Sequence, residues 1–327
     1  MEVTSYHRLS NELENLWRGF LQKQGLFPGE LPETVFFLTD GDTLVGTASL
    51  SGDLIAYFAV DPARRGEDLA AVLLTEIKNH AFRNGFERLF LLTKPENRRL
   101  FAGLLFEPVA ETSSAVFMES PGGGIAELLS DAPKASGKVG SIVMNADPFT
   151  LGHRFLIETA AKECDFVFVF VLSEEKSFFS AEDRLSMVKE GVSDLPNVFV
   201  LPTGRYLVSA ATFPTYFLKD RQKAAEAFCD MDIAVFLEKF VPALSISVRY
   251  LGTEPSDPVT DAYNAALLKA LPENGVAVRL VERKTLEGGP ISAKAVRRLL
   301  TQKEFAKAKA LLPESTVSYL KNHSFFD

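Results

Sequence analysis

Cysteine is nearly missing from this chain. Cys164 and Cys229 are the two thiols, too few for a disulfide framework and without the spacing of a metal site, so both read as reduced core or near-core residues. Long apolar runs are missing too, and none approaches the ~20 residues that a bilayer-spanning helix needs. Met1-Glu-Val-Thr-Ser-Tyr6 lacks the basic and apolar parts of a signal peptide, so a cytoplasmic protein with no membrane partner is expected. Positive charge is in deficit: 35 Lys and Arg face 43 Asp and Glu, with no basic tract, which argues against nucleic acid as a partner. There is no internal repeat and no low-complexity tract.

What is there is apolar and aromatic. A hydrophobic fraction of 46% with 27 Phe in 327 residues indicates packed cores and room for two domains. Turn-rich stretches at 120–124 and 130–137 bracket a short apolar piece. The chain therefore divides into a domain over 1–120, a linker over 121–137 holding one helical turn, and a domain over 138–327.

Chemistry concentrates in Gly140-Ser-Ile-Val-Met-Asn-Ala-Asp-Pro-Phe-Thr-Leu-Gly-His153. Residues 139–144 form a β-branched, apolar run of strand type. Asn145, Asp147 and Pro148 break it, and Leu151, Phe155, Leu156 and Ala160 follow at helical spacing. Thr150-Leu-Gly-His153 thus sits where a strand turns into a helix N-terminus, whose free N–H groups and dipole favour phosphate. Gly152 allows a close backbone approach, His153 offers a ring N–H, and Thr150 suits both an N-cap and a phosphate contact. An ordinary helix start is the competing reading of these four residues. Ile291-Ser-Ala-Lys-Ala-Val-Arg297 opens a second helix of the same kind just after Gly288-Gly-Pro290.

These two elements resemble the Thr/His-x-Gly-His and Ile-Ser-Ser-Thr-x-Val-Arg motifs of the nucleotidylyltransferase superfamily, whose members split a nucleoside triphosphate between its α and β phosphates. Lys294 stands where that superfamily has a hydroxyl residue; it reads as a phosphate contact or a solvent-facing cation. Arg297 and Arg298 cannot both face one site, and motif register favours Arg297. Strand runs at 139–144, 166–172, 198–201, 246–251 and 276–281 alternate with helical runs at 151–161, 181–189, 210–218 and 259–270 and a helical pair after Ser292. That is the pattern of a Rossmann-like α/β domain with a parallel sheet, which binds ligands where its strands end.

The N-terminal part reads as an amphipathic helix carrying Leu9, Leu13, Leu16, Trp17, Phe20 and Leu21. Strands at 35–39, 43–50 and 54–60 follow, with hairpin turns at Asp40-Gly41 and Ser51-Gly-Asp53. A helix through Leu69, Val72, Leu73 and Ile77, a strand at 88–92, a helix at 96–104 and one last strand near 106–117 complete it. This order resembles the GNAT acyltransferase fold, whose loop after the fourth strand cradles the pyrophosphate of coenzyme A. Arg65-Gly66-Glu67-Asp68-Leu69-Ala70 departs from that loop by placing Asp68 where glycine is expected. A carboxylate ~4 Å from a phosphate charge costs roughly 4 kcal/mol at an effective dielectric near 20, before screening. Arg64 and Arg65 read as phosphate partners or as plain surface charge.

Several longer segments are similar to the citrate lyase ligase family, which carries a GNAT-like domain ahead of a nucleotidylyltransferase domain. They are Val171-Leu-Ser-Glu-Glu-Lys-Ser-Phe-Phe-Ser180 with Asp183-Arg184, Asp194-Leu-Pro-Asn-Val198, Ser209-Ala-Ala-Thr-Phe-Pro-Thr-Tyr-Phe-Leu-Lys219, Gly252-Thr-Glu-Pro255 and Val259-Thr-Asp-Ala-Tyr-Asn264. The resemblance implies ATP and Mg²⁺, acetate, and the acyl carrier subunit of citrate lyase with its dephospho-CoA-type prosthetic group. ATP and acetate give acetyl-AMP and pyrophosphate, and the prosthetic thiol takes the acetyl group. It also implies catalytic roles for His153, Lys176 and Arg297. Around the nucleotide it places Asn145, Phe149, Thr150, Gly152, Arg184, Gly252, Glu254, Ile291, Ser292 and Lys294, with no protein metal ligand. Lys176 and Arg184 read equally as salt-bridge partners of Glu174-Glu175. Tyr263-Asn264 and Gly252-Thr-Glu-Pro255 line an adenine pocket or are a helix start and a strand-end turn. Family members read Asn-Cys-Asn-Pro-Phe-Thr where this chain has Asn145-Ala-Asp-Pro-Phe-Thr150, so Asp147 is expected to bring negative charge, or a Mg²⁺ contact, beside the phosphates. An adenylyltransferase with a phosphate-bearing acceptor and a non-catalytic ligand sensor are the alternatives.

Overall fold

The structure is a computed structural model. It describes all residues except 65, 175–176, 208–220, 254–257, 287–288, 324 and 326–327, and the side chains of 221–224 and 258–259. Two compact units make up the chain: Met1–Gly124 with Ala210–Ala234, and Ile125–Ser209 with Val235–Asp327.

The first unit contains β1 (Glu2–Tyr6), α1 (Asn11–Lys23), β2 (Thr34–Asp40), β3 (Thr43–Ser51), β4 (Leu54–Val60), α2 (Leu69–Arg83), β5 (Phe90–Thr93), α3 (Arg98–Gly103), β6 (Glu107–Glu111) and β7 (Val116–Glu119). The strands form one sheet in the order β1-β2-β3-β4-β5-β7-β6. All neighbours are antiparallel except β4 and β5, which run parallel and share only the rungs Leu54–Phe90 and Ile55–Leu91. Gly41 and Gly52, both at φ 57°, close the two hairpins where the turn chemistry predicts them. Leu69, Leu73, Leu74, Ile77 and Ala81 of α2 are buried together with Phe36, Leu38, Val45 and Ala48 of the sheet. Each fully buried Leu contributes about 2 kcal/mol of burial free energy. Two expectations change. The chain starts with a strand ahead of α1, and the single strand near 106–117 is a hairpin, β6–β7. The Thr112 N–H donates to the Ala115 carbonyl at 2.8 Å and so closes the turn between them.

Between these elements and the next sheet lies α4 (Gly124–Leu128). The remaining elements are β8 (Val139–Met144), α5 (Leu151–Glu163), β9 (Phe166–Val171), α6 (Ala181–Gly191), β10 (Val198–Pro202), α7 (Arg221–Val235), α8 (Val241–Leu244), β11 (Val248–Gly252), α9 (Pro258–Glu273), β12 (Ala277–Val281), the short pair β13 (Thr285–Leu286) and β14 (Gly289–Pro290), α10 (Ala293–Thr301), α11 (Phe305–Lys309) and α12 (Glu314–Asn322). The expected helix at 210–218 lies outside the described residues, and three helices rather than two follow Ser292. The five long strands form a parallel sheet in the order β10-β9-β8-β11-β12. The order reverses at β8, and β8 meets β11 at only two rungs, Gly140–Val248 and Ser141–Arg249. The C-terminal ends of these two strands therefore diverge, which is where open α/β sheets place their ligands. Among the described residues no helix is long and apolar enough to cross a membrane.

Candidate active site

A cavity of about 890 Å³ opens at the diverging ends of β8 and β11. Asn145, Thr150, Gly152, His153, Gly252, Ile291, Ser292, Lys294 and Arg297 all line it, so nine of the residues singled out by sequence meet in one place. Lys176 and Glu254 lie outside the described residues.

The first wall is the start of α5. Thr150 is its N-cap, and its Oγ1 accepts the His153 backbone N–H at 3.4 Å. In return, His153 Nδ1 accepts the Thr150 backbone N–H at 3.1 Å. An amide N–H only donates, so Nδ1 carries its lone pair and the neutral ring holds its proton on Nε2. Burial, helped by the charge of Arg283, lowers the His153 pKa to about 4. At neutral pH the ring is therefore an uncharged donor with a single N–H, which the cap leaves free of the helix. Phe149 stacks against this ring, centroids 6.0 Å apart and planes 12° from parallel. Its side chain is fully buried and does not line the cavity, which corrects its expected role in contacting the nucleotide. The apolar ring is held in the core by Gly191, where an added Cβ would sit 2.3 Å from the Phe149 ring. Phe149 thus fixes the plane of His153 from below.

The second wall is the start of α10. Its N-cap, Ser292, makes no side-chain cap bond, so the hydroxyl is not committed to the helix it precedes. Lys294 is exposed on the cavity and forms no ion pair among the described residues. Ile291 is pinned by its N–H to the Lys284 carbonyl at 3.0 Å, and a Cβ on Gly152 would meet the Ile291 carbonyl oxygen at 3.4 Å. The two helix starts are therefore packed edge to edge. Gly252 has open space where its Cβ would be, and Asn264 Nδ2 donates to its carbonyl at 3.2 Å. Tyr263 lines the same side.

Two charged residues expected at the nucleotide lie beside the cavity and not on its lining. Asp147 does not line the cavity and is only 4% exposed. Its carboxylate accepts the N–H groups of Phe178 and Phe179 at 3.2 and 2.9 Å and pairs with Arg297 Nη1 at 3.3 Å. With its lone pairs taken by a loop and a guanidinium, it is a clamp on the 178–179 turn and the anchor of Arg297. The same Nη1 also donates to the Asp147 carbonyl. Arg184 is fully buried and does not line the cavity either. It sits on the inward face of α6 with Met187 and Val188, so its stem carries the guanidinium under the strand ends. There it donates to the carbonyls of Phe179, Leu172, Asn145 and Glu174 and, at 2.6 Å, to Asn145 Oδ1. Unpaired carbonyls buried at that place would each cost about 1–3 kcal/mol. Arg184 also fixes the Asn145 amide: because a guanidinium only donates, Oδ1 faces it and Nδ2 is the free donor of an exposed side chain.

Sequence reasoning missed three cations that line the cavity, Arg249, Arg283 and Lys284. Arg283 Nε donates to the Thr253 carbonyl at 2.7 Å, and burial lowers its pKa. Lys284 Nζ lies 5.9 Å from the Phe155 ring centroid. Arg249 is 3% exposed and stacks its guanidinium 4.7 Å over Phe236. A signal for Arg283 and Lys284 was present, since they follow the end of a strand of the parallel sheet by two and three residues. Among the described residues no group of three or more His, Cys, Asp or Glu is placed to hold a metal ion.

Comparison with known proteins matches the family described as "Citrate lyase ligase C-terminal domain" over residues 139–320, and the "Acetyltransferase (GNAT) family" over residues 6–102. The citrate (pro-3S)-lyase ligase of Klebsiella pneumoniae is 40% identical over 285 residues, 85% of this chain and 83% of that protein. Those of Escherichia coli (strain K12) and Haemophilus influenzae are each 34% identical, covering 93% and 97% of this chain and 89% and 98% of their own lengths. The first sheet is thus that of a GNAT domain and the second that of a citrate lyase ligase C-terminal domain.

Proposed function

The chain belongs to the citrate lyase ligase family, and we propose on that premise that this enzyme is an ATP-dependent ligase acting on citrate lyase. The finer reading has two steps. An oxygen of acetate attacks the α phosphorus of ATP, the α–β bridging P–O bond breaks, and pyrophosphate leaves with acetyl-AMP behind. The thiol of the prosthetic group on the acyl carrier subunit of citrate lyase then attacks the acyl carbon. Its proton goes to solvent, the acyl C–O bond breaks, and AMP leaves. The organisation that goes with this reading is a GNAT-like domain over 1–120, a linker over 121–137 and the ligase domain over 138–327, in a cytoplasmic protein.

One observation carries the proposal: two helix N-termini, capped by Thr150 and Ser292, face one cavity at the sheet's switch point, with His153 Nε2–H and Lys294 beside them. Acetate is already an anion at neutral pH, so the first step needs no general base. The site must instead offset repulsion between anions and stabilise charge on the departing pyrophosphate. With its pKa lowered to about 4 the ring is neutral at pH 7, and the N–H of a neutral imidazole is too weak an acid to transfer, so His153 acts on a phosphate oxygen as a fixed dipole. Lys294 supplies net positive charge, Arg297 further N–H donors although its charge is matched by Asp147, and Ser292 a neutral donor. Asn145 Nδ2, aimed by Arg184, is a further donor on the β8 side. Lacking a carboxylate cluster among the described residues, the site would take Mg²⁺ through the oxygens of the triphosphate itself, where it neutralises charge.

The test is exchange of labelled pyrophosphate into ATP by the purified chain with Mg²⁺ and no citrate lyase present. Exchange that depends on acetate is the expected result. ATP binding without acetate-dependent exchange would overturn carboxylate adenylation and leave a phosphate-bearing acceptor or a sensing role.

A further inference from the structure

The first unit has a cavity of its own, of about 680 Å³, opening where β4 and β5 part beyond Ile55 and Leu91. Phe58, Val60, Leu92, Leu100 and Phe101 give it apolar walls. In the GNAT fold this cleft belongs to coenzyme A, whose diphosphate rests on the loop leading into the helix that follows β4. The residues here do not fit that group. Arg64 donates from Nε to Glu67 Oε1 at 2.6 Å, from Nη1 to Asp40 Oδ2 at 3.0 Å, and pairs through Nη2 with Glu67 Oε2 at 2.6 Å. Its guanidinium is thus committed to two carboxylates. Asp68, the N-cap of α2, is exposed at φ 55° and ψ 19°, makes no cap bond, and lines the cavity mouth. Lys94, the other described cation that lines the cavity, lies 3.9 Å from Glu96, so each described cation here is matched by a carboxylate and Asp68 adds one more.

We propose that this cleft is a neutral-chain site: it takes an uncharged, amide-bearing segment of pantetheine type and rejects the diphosphate end of free coenzyme A. Apolar walls suit the alkyl and thiol parts of such a chain. Beyond Ile55 and Leu91 no ladder rung joins β4 to β5, so the two facing strand edges offer backbone groups to its amides. The carboxylates at the mouth repel a diphosphate and leave a neutral chain untouched. The inference goes beyond the adenylation reading and does not depend on it.

Calorimetric titration of the full chain with pantetheine and with coenzyme A tests this, after ATP has been added to saturation so that the nucleotide cavity is filled. At low salt, pantetheine is expected to bind at least about tenfold more tightly than coenzyme A. Raising salt from about 20 mM to about 300 mM should tighten coenzyme A by screening the repulsion and leave pantetheine unchanged. The double variant Glu67→Gln, Asp68→Gly should gain about tenfold or more for coenzyme A while holding pantetheine within about twofold, which also reports an intact cleft. Coenzyme A that binds more tightly than pantetheine and weakens with salt would overturn the proposal. So would absence of pantetheine binding, or a double variant with unchanged coenzyme A affinity. The ATP titration is read first, so a failure of the adenylation reading appears separately.

Discussion

The cavity of the first unit and that of the second open at the same kind of place and differ in the charge they present. Each lies where two parallel strands share only two rungs, β4 with β5 in one unit and β8 with β11 in the other. Each is followed by a turn into a helix N-terminus, α2 or α5. At α5 the cap residue Thr150 is extended, at φ −116°, and exchanges two hydrogen bonds with a neutral histidine. At α2 the cap residue Asp68 is left-handed and its side chain makes no cap bond to the helix. The nearby cations differ in the same sense: Arg64 is locked between Glu67 and Asp40, whereas Lys294 faces its cavity without an ion pair among the described residues. Backbone geometry supplies the positive dipole end in both cases. The side chains at the cap and in the preceding loop decide whether an anion is welcome there.

The sharpest way to break this comparison is to remove the neutral donor from one site and the cation from the other. His153→Ala should lower acetate-dependent exchange by about 10²–10³, the usual loss for one preorganised donor. It removes half of a capping box, so helix stability falls by only about 1 kcal/mol. Arg64→Ala should leave the same exchange within about twofold, because in wild type its charge is already matched by Glu67 and Asp40. Initial rates on the two purified variants decide it. A near-normal rate for His153→Ala would remove the imidazole from the mechanism and reduce the α5 start to an ordinary capped helix.

A second difference is visible in pH. The His153 pKa is about 4 when folded against 6.5 when free, so folding opposes protonation. As pH falls below 6.5 the unfolded chain takes up the proton first, and stability is lost until pH reaches about 4. Above 6.5 both states are neutral and this contribution is complete. The gap of 2.5 units sets an upper bound of about 3 kcal/mol, reduced because the ring is only half-buried and opens onto the cavity. In the other loop, Glu67 has its pKa lowered by its hydrogen bond to Arg64. Urea unfolding of wild type and His153→Gln at pH 7 and pH 5 isolates the effect. Wild type should lose more stability between those values than the variant does, and parallel losses would mean that the ring is not held neutral.

The comparison also marks how far a sequence speaks. Thr150 with His153, and Ser292 with Lys294, lie within single helical turns and Arg297 within the next, so local spacing alone brings them to one helix start. The meander β2–β3–β4 was legible because Gly41 and Gly52 sit at the positive φ that tight hairpins require. β1 was not, since Glu2–Tyr6 has no apolar run and buries none of its residues fully. The turn between β6 and β7 carried its signal in Thr112-Ser-Ser, which lay unused inside an apolar stretch. Arg184 and Asp147 misled for one physical reason. A charged residue beside a motif looks like a ligand, and its sequence neighbours do not reveal that buried carbonyls and amides elsewhere in the chain need a partner. Arg283 and Lys284 were missed for the converse reason, because their place at the cavity comes from strand order and not from spacing.

The smallest expected effect concerns whether Asp68 serves stability. A non-glycine residue at φ 55° costs about 1 kcal/mol, somewhat less for aspartate, and Asp68→Gly removes that strain. Against it stand the larger backbone entropy that glycine loses on folding, about 0.5–1 kcal/mol, and a carboxylate's favourable interaction with the helix N-terminus, about 0.3–1 kcal/mol. The terms nearly cancel, so thermal unfolding of Asp68→Gly should fall within about 1 kcal/mol of wild type. That outcome would mean that the carboxylate is not needed to hold α2 and that its consequence lies in what the cleft excludes. A loss beyond about 2 kcal/mol would make Asp68 a structural cap, and the contrast with Thr150 would then be one of stability and not of ligand choice.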